Sequence, residues 1–191
     1  MQEKTGVPII ACAQVVDIYR VKKHLGMGVW AQHVDPIEPG RNSGWILPKS
    51  VKEAGATGSV VNHAEHPVSF KTIEATIAIC HKYGLKTLVI CETPALCKKV
   101  ALLKPTYIAY EKGALIAGPK SMVDVESQNI KKLAKTIPIP LIVGAGITSG
   151  DHVKKALSFG AKGVILASAV ILAKNPKAKL MELTSAFSGQ F

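Results

Sequence analysis

The chain has 191 residues, enough for one domain with a sizeable core but short of the ~250 residues of an eight-unit barrel. Hydrophobic residues make up 48% and charged residues 19%, which excludes a disordered chain; no apolar run reaches the ~18 residues of a membrane span. The net charge of +11 is carried largely by lysine pairs at helix positions and is accompanied by only 5% aromatics. That composition argues against a base-stacking nucleic-acid surface, while the positive field would steer small anions.

In chain order, the apolar runs are Val7–Ala13, Gly28–His33, Gly58–Asn62, Lys86–Cys91, Thr106–Tyr110, Ile139–Val143 and Lys162–Leu166. A polar loop and then a segment of helical period follow each of them. Phe70–Tyr83, with Ile73, Ile77 and Cys80 on one face, and Gln128–Thr136 are the clearest helices. Lys22-Lys23, Lys98-Lys99, Lys131-Lys132 and Lys154-Lys155 form the solvated faces of such segments. Gly55, Gly84 and Gly160 stand where helix C-caps are expected. The runs are nearly continuous Val, Ile, Leu and Ala rather than alternating, as in strands buried on both faces of a parallel sheet. About seven βα units result, with no linker or composition break, so residues 1–191 read as a single domain.

Four cysteines, Cys12, Cys80, Cys91 and Cys97, lie in or beside apolar segments with no C-x-x-C pairing. Reduced core thiols in a cytoplasmic protein are the expectation. The opening Met1-Gln2-Glu3-Lys4 has no signal-peptide pattern, which agrees with that location.

Unusual residues cluster at the strand ends: Gln14, Gln32-His33, Asn62-His63, Glu92, Glu111, Gly144-Ala145-Gly146 and Ser168. An open sheet gathers its site at one switch point, whereas a barrel turns every strand end toward one mouth. The distribution favours an α/β barrel. Within it, His63, Glu65 and His66 raise a zinc reading, but a spacing of three residues on a strand end and loop does not align two ligands as it does on a helix. No metal site is assigned. Glu111 ends a strand and precedes the small, partly apolar segment Lys112–Pro119, the arrangement of a general base under a lid that excludes water. Gly144-Ala145-Gly146, ahead of the capping-type start Thr148-Ser149-Gly150-Asp151, and Leu166-Ala167-Ser168-Ala169 would let backbone N–H groups approach a phosphate.

These residues carry a resemblance. Ala31-Gln32-His33-Val34-Asp35-Pro36, Pro39-Gly40 through Leu47-Pro48, Val51-Lys52-Glu53-Ala54-Gly55-Ala56, Asn62-His63-Ala64-Glu65, Glu111 with Leu115-Ile116, Gly144-Ala145-Gly146-Ile147 and Gly163 to Ser168 run in order over nearly the whole chain. The chain resembles the triosephosphate isomerases, in particular their shorter archaeal type. The resemblance implies a TIM (β/α) barrel and interconversion of dihydroxyacetone phosphate and glyceraldehyde 3-phosphate, a step of glycolysis and gluconeogenesis. It implies that Glu111 is the base and His63 the neutral imidazole that polarises the carbonyl, a pairing for which this family is a standard example. Glu65 matches a carboxylate of the same site. The substrate phosphate would lie on backbone N–H groups near Ala117, Gly144, Gly146, Ala167 and Ser168. No cofactor is implied, and the expected partners are a small phosphorylated substrate and further copies of the chain, in a homodimer or higher homo-oligomer.

The chain also departs from the family pattern. The family's first strand, with an asparagine and the catalytic lysine, has no counterpart, so the expected barrel is truncated to about seven parallel strands with the first strand–helix unit missing. The serine between histidine and glutamate is Ala64, the proline after the base is Lys112, and the lid's Gly-Thr-Gly is Ala117-Gly118-Pro119. Loss of one preorganised electrostatic group costs about 10²–10³ in turnover. Two readings follow: a weakened isomerase, or a non-catalytic barrel of the same descent that binds phosphorylated ligands or serves as an assembly unit.

Overall fold

Seven short apolar segments form seven parallel strands in the computed structural model, which describes residues 5–25 and 27–187. The reading of Met1–Lys4 as lacking a signal pattern lies outside the described residues. The strands are β1 (Ile10–Ala13), β2 (Gly28–Ala31), β3 (Gly58–Val61), β4 (Lys86–Cys91), β5 (Tyr107–Tyr110), β6 (Leu141–Val143) and β7 (Gly163–Val164). Their order in the sheet is their order in the chain. Helices follow them: α1 (Ile18–Leu25), α2 (Pro48–Glu53), α3 (Phe70–Lys82), α4 (Pro94–Ala101), α5 (Met122–Val125), α6 (Ser127–Thr136), α7 (Gly150–Ser158), α8 (Ser168–Ile171) and α9 (Pro176–Ser185). This is the βα succession expected from the sequence.

Two compact units make up the chain. One comprises Ile9–Ile90 with Leu102–Tyr107, and the other Cys91–Ala101 and Ile108 onward with the described residues up to Pro8. In the first, β1 pairs with β2 from Ile10 opposite Gly28 to Ala13 opposite Ala31, and β3 pairs with β4 from Gly58 opposite Lys86 to Val61 opposite Val89. Ile18, Val29, Ala31, Val34, Val51, Ala56, Cys80 and Leu85 build its core from both strand and helix faces. Gly58 has to be glycine: a Cβ there would stand 2.6 Å from Trp30 Cδ2 and 2.7 Å from Lys86 O. Helix α3 starts on Ser69, whose hydroxyl accepts the Thr72 N–H at 3.1 Å, and it buries Ile73, Ile77 and Cys80.

In the second unit, β5 pairs with β6 from Ile108 opposite Leu141 to Tyr110 opposite Val143, and β6 pairs with β7 at Ile142–Gly163 and Val143–Val164. Its buried residues include Ile108, Tyr110, Met122, Ile130, Leu133, Val143 and Val153. Helix α7 is capped by Ser149, which accepts the His152 N–H at 3.3 Å. The expected C-cap glycines all take the left-handed conformation: Gly55 at φ +103°, Gly84 at +64° and Gly160 at +98°.

The apolar run Lys162–Leu166 is cut short, since β7 ends at Val164. Ile165 N still donates to Val143 O at 3.0 Å, so the chain keeps following β6 without regular pairing. An apolar run reports burial, while strand length is set by partners the run does not name. Among the described residues, no helix is long and apolar enough to cross a membrane. Cys80, Cys91 and Cys97 are buried, Cys12 is partly so, and none of the four is joined in a disulfide.

Candidate active site

In the β1–β4 unit, the chain leaves β3 through Asn62, which sits at φ +62°. Its side chain spans the following loop, with Nδ2 donating to Ile90 O and Oδ1 accepting Val68 N–H, both at 2.9 Å. This bracket sets the backbone of His63 at the strand end. The Glu65 N–H points at His63 Nδ1 at 3.2 Å. A donor there leaves Nδ1 as an acceptor, so a neutral ring carries its proton on Nε2. The Glu65 carboxylate is well exposed, with Oε2 3.6 Å from His63 Nδ1. His66 N donates to His63 O at 2.8 Å, while its ring lies against that of His33, centroids 4.2 Å apart. His33 in turn faces Asp35 Oδ1 at 3.2 Å, and Asp35 Oδ2 accepts Ile46 N–H at 2.7 Å. Among the described residues no three of His, Cys, Asp and Glu are grouped to hold a metal ion.

In the other unit, Glu111 follows the last residue of β5 and is only 4% exposed. Its N–H donates to Cys91 O at 3.1 Å, extending the ladder by one step. The carboxylate lies directly over Gly144: a Cβ at that position would fall 2.8 Å from Glu111 Cδ and closer still to Oε2, and 2.6 Å from Ile165 Cγ2. Gly144, an expected phosphate contact, also leaves room for the carboxylate.

The loop continues through Ala145 at φ +64° and Gly146 at φ +69°. A Cβ on Gly146 would collide with Lys120 O and approach Ser121 Cα to 2.7 Å. Met122 N donates to Ala145 O at 3.1 Å, so the end of the segment after Glu111 is tied to this loop. The start of that segment is tied as well, because Gly113 N donates to Glu92 Oε1 at 2.7 Å. Between the ties, Gly113–Leu115 form a single 3-10 turn and Ala117 sits at φ +54°. Ala117, Ala167 and Ser168 are exposed, with Ala167 leading into the four-residue helix α8.

One residue of this unit was not read from the sequence. Glu126 accepts Tyr110 Oη–H and Asn129 Nδ2–H, each at 2.6 Å, and pairs with the Lys112 ammonium. Burial alone would raise its pKa, but the bonds from Asn129, Lys112 and Tyr110 outweigh it and hold the carboxyl at about 2. The only signal for it was Lys112, a cation beside Glu111 where the resembled family carries proline.

Comparison with known proteins shows the family of the chain. Residues 1–186 match the family model of triosephosphate isomerase. The chain is 38% identical over 188 residues to a triosephosphate isomerase of Methanobacterium bryantii, covering 96% of this chain and 83% of that one. It is 37% identical over 191 residues to one of Methanocaldococcus jannaschii, covering 96% of this chain and 86% of the other. The crystal structure of triosephosphate isomerase from Bartonella henselae superposes with a TM-score of 0.65 at 18% identity, over 94% of this chain and 84% of that chain, and so shares its barrel fold.

Proposed function

The chain belongs to the triosephosphate isomerase family, an isomerase family, and from that premise we propose that Glu111 and His63 interconvert dihydroxyacetone phosphate and glyceraldehyde 3-phosphate. Glu111 removes the proton from the carbon next to the substrate carbonyl. His63, with its proton on Nε2, donates a hydrogen bond to that carbonyl and stabilises the enediolate. The hydroxyl proton passes, by way of His63 Nε2, to the former carbonyl oxygen, and Glu111 returns the carbon-bound proton to the neighbouring carbon, so that carbonyl and hydroxyl exchange places. The carbonyl itself acidifies the C–H bond, so the reaction uses no metal or organic cofactor. Glu65 contributes its N–H to His63 Nδ1 and so maintains the tautomer that the step requires.

The observation that carries this reading is the buried carboxylate of Glu111 at a strand end, with a glycine opposite to make room for it. A barrel that only bound phosphate or served assembly would have no use for such a group, since burying a carboxylate costs free energy. The phosphate falls to backbone N–H groups around Ala117, Gly144, Gly146, Ala167 and Ser168.

The family is typically homo-oligomeric and acts on a phosphorylated substrate. For this chain a homodimer is the proposed state, with Trp45, 59% exposed in the Pro39–Trp45 loop, as a contact residue. Light scattering at micromolar concentration tests it, and a monomer there rejects the dimer. The free thiols agree with a cytoplasmic location.

Turnover of glyceraldehyde 3-phosphate by purified protein tests the activity. Glu111→Gln and His63→Ala should each lower kcat by about 10²–10⁴. Activity that survives both substitutions would assign the chemistry to other residues. A wild-type protein that binds phosphoglycolate but turns over nothing would favour the non-catalytic reading.

A further inference from the structure

Glu111 is flanked by Tyr110 and Lys112, and both side chains end on one carboxylate. Tyr110 Oη donates to Glu126 Oε2 at 2.6 Å, and the Lys112 ammonium pairs with Glu126 Oε1. Alternation along an extended chain explains the geometry. Residues 110 and 112 leave the backbone on one side and reach Glu126 just before α6, whereas Glu111 leaves on the other side, toward Gly144. Fixing the side chains at both neighbouring positions restrains the two peptide planes that set the direction of the Glu111 Cα–Cβ bond. Glu126 is itself held, because Asn129 Nδ2 donates to Oε2 at 2.6 Å and only 12% of its side chain is exposed.

We propose that Glu126 is a positioning residue for the isomerase reaction, gripping the base from both flanks through Tyr110 and Lys112. The inference rests on Glu111 being the base. It also gives a role to the lysine after the base: Lys112 has a free N–H and more backbone freedom than proline, and its ammonium restores the lost rigidity through Glu126. The same grip anchors the first residue of the segment after Glu111, next to the tie from Gly113 N to Glu92 Oε1.

The test uses full-length protein carrying Glu126→Gln, Lys112→Met or Lys112→Arg. Glu126→Gln and Lys112→Met should lower kcat about 10–100-fold with little change in phosphoglycolate affinity, because a base displaced by a fraction of an ångström affects the transition state more than phosphate binding. Lys112→Arg keeps the ion pair and should recover most of the lost kcat. A merely structural role would lower thermal stability and leave kcat per folded molecule unchanged. Unchanged kcat in both Glu126→Gln and Lys112→Met, with an active wild type, overturns the proposal. Should Glu126→Gln not fold, the partly exposed Lys112 supplies the decisive pair of variants. Amide exchange keeps the clamp separable from the assigned activity: the Gly113 N–H, which donates to Glu92 Oε1, should exchange at least tenfold faster in Lys112→Met than in wild type. An inactive wild type rejects the functional reading and with it the positioning role, and unchanged exchange also rejects the clamp itself.

Discussion

The carboxylate of Glu111 occupies the space that a side chain at Gly144 would need. A Cβ on Gly144 would lie 2.8 Å from Glu111 Cδ and nearer to Oε2, and Ile165 Cγ2 closes the other side at 2.6 Å. Glu111 and Gly144 are both buried, which leaves the carboxylate little slack, and Ile165 beside them is half-buried. Glu111 and the first glycine of the loop after β6 are therefore one steric unit, although 33 positions separate them in the sequence.

Gly144→Ala should push the Glu111 carboxylate away by an ångström or more. A misplacement of about 1 Å can cost roughly 10²-fold in rate, so kcat should fall by about that factor while phosphoglycolate still binds. Steady-state kinetics and a ligand titration on the same sample check this. A variant with wild-type kcat would show that the carboxylate works from another position.

Ala117 and Gly146 predict opposite outcomes. Both sit at positive φ, +54° for Ala117 and +69° for Gly146. At Ala117 the left-handed conformation costs about 1–2 kcal/mol, part of which Ala117→Gly returns in greater freedom of the unfolded chain. A net gain of about 0.5–1 kcal/mol, or a rise of about 1–4 °C in Tm, is expected. Gly146→Ala adds a collision with Lys120 O and Ser121 Cα to the strained φ, and should cost about 2–4 kcal/mol. Thermal and urea unfolding of the two variants measures both.

The Glu126 carboxyl, held at about 2 in the folded protein, makes stability depend on acid. A folded pKa below the unfolded one means that the contribution is complete above the unfolded value of ~4.3 and is lost as pH falls toward 2. The loss over that window should be on the order of 2 kcal/mol, allowing for screening around the partly exposed Lys112. Urea midpoints of wild type and Glu126→Gln should therefore converge as pH falls from about 5 to about 2. Parallel curves would show that the carboxylate is not held in this way.

Phosphate affinity should depend less on side chains than catalysis does. Titration with inorganic phosphate or phosphoglycolate should shift the amide resonances of Gly146 and Ser168 first, as the proposed contact through backbone donors requires. Silent resonances in both loops would remove the phosphate site from this part of the chain.

The thiols should resist modification. Burial pushes Cys12 up to about 11 and Cys80 up to about 12, while hydrogen bonding with Cys97, together with burial, raises Cys91. In native protein at pH 8, a thiol reagent should label these cysteines far more slowly than in urea. Rapid native labelling at several sites would mean that the units open readily.

Much of this protein follows from local pattern. The seven apolar runs became seven parallel strands, and Lys86–Cys91 kept its predicted ends, because burial on both faces leaves a mark on every residue of a strand. Gly55, Gly84 and Gly160 stop their helices because left-handed caps favour glycine whatever surrounds them. His63 and Glu111 stood out as titratable groups at strand ends, and the order of matching residues identified the family. What the tertiary structure alone decided depends on distant partners. The early end of β7, the use of Gly144 as room for the Glu111 carboxylate, and the convergence of Tyr110, Lys112 and Asn129 on Glu126 are contacts between separate segments. A local sequence pattern records that a residue is buried or turns the chain; which side chain meets it is decided only when the elements pack.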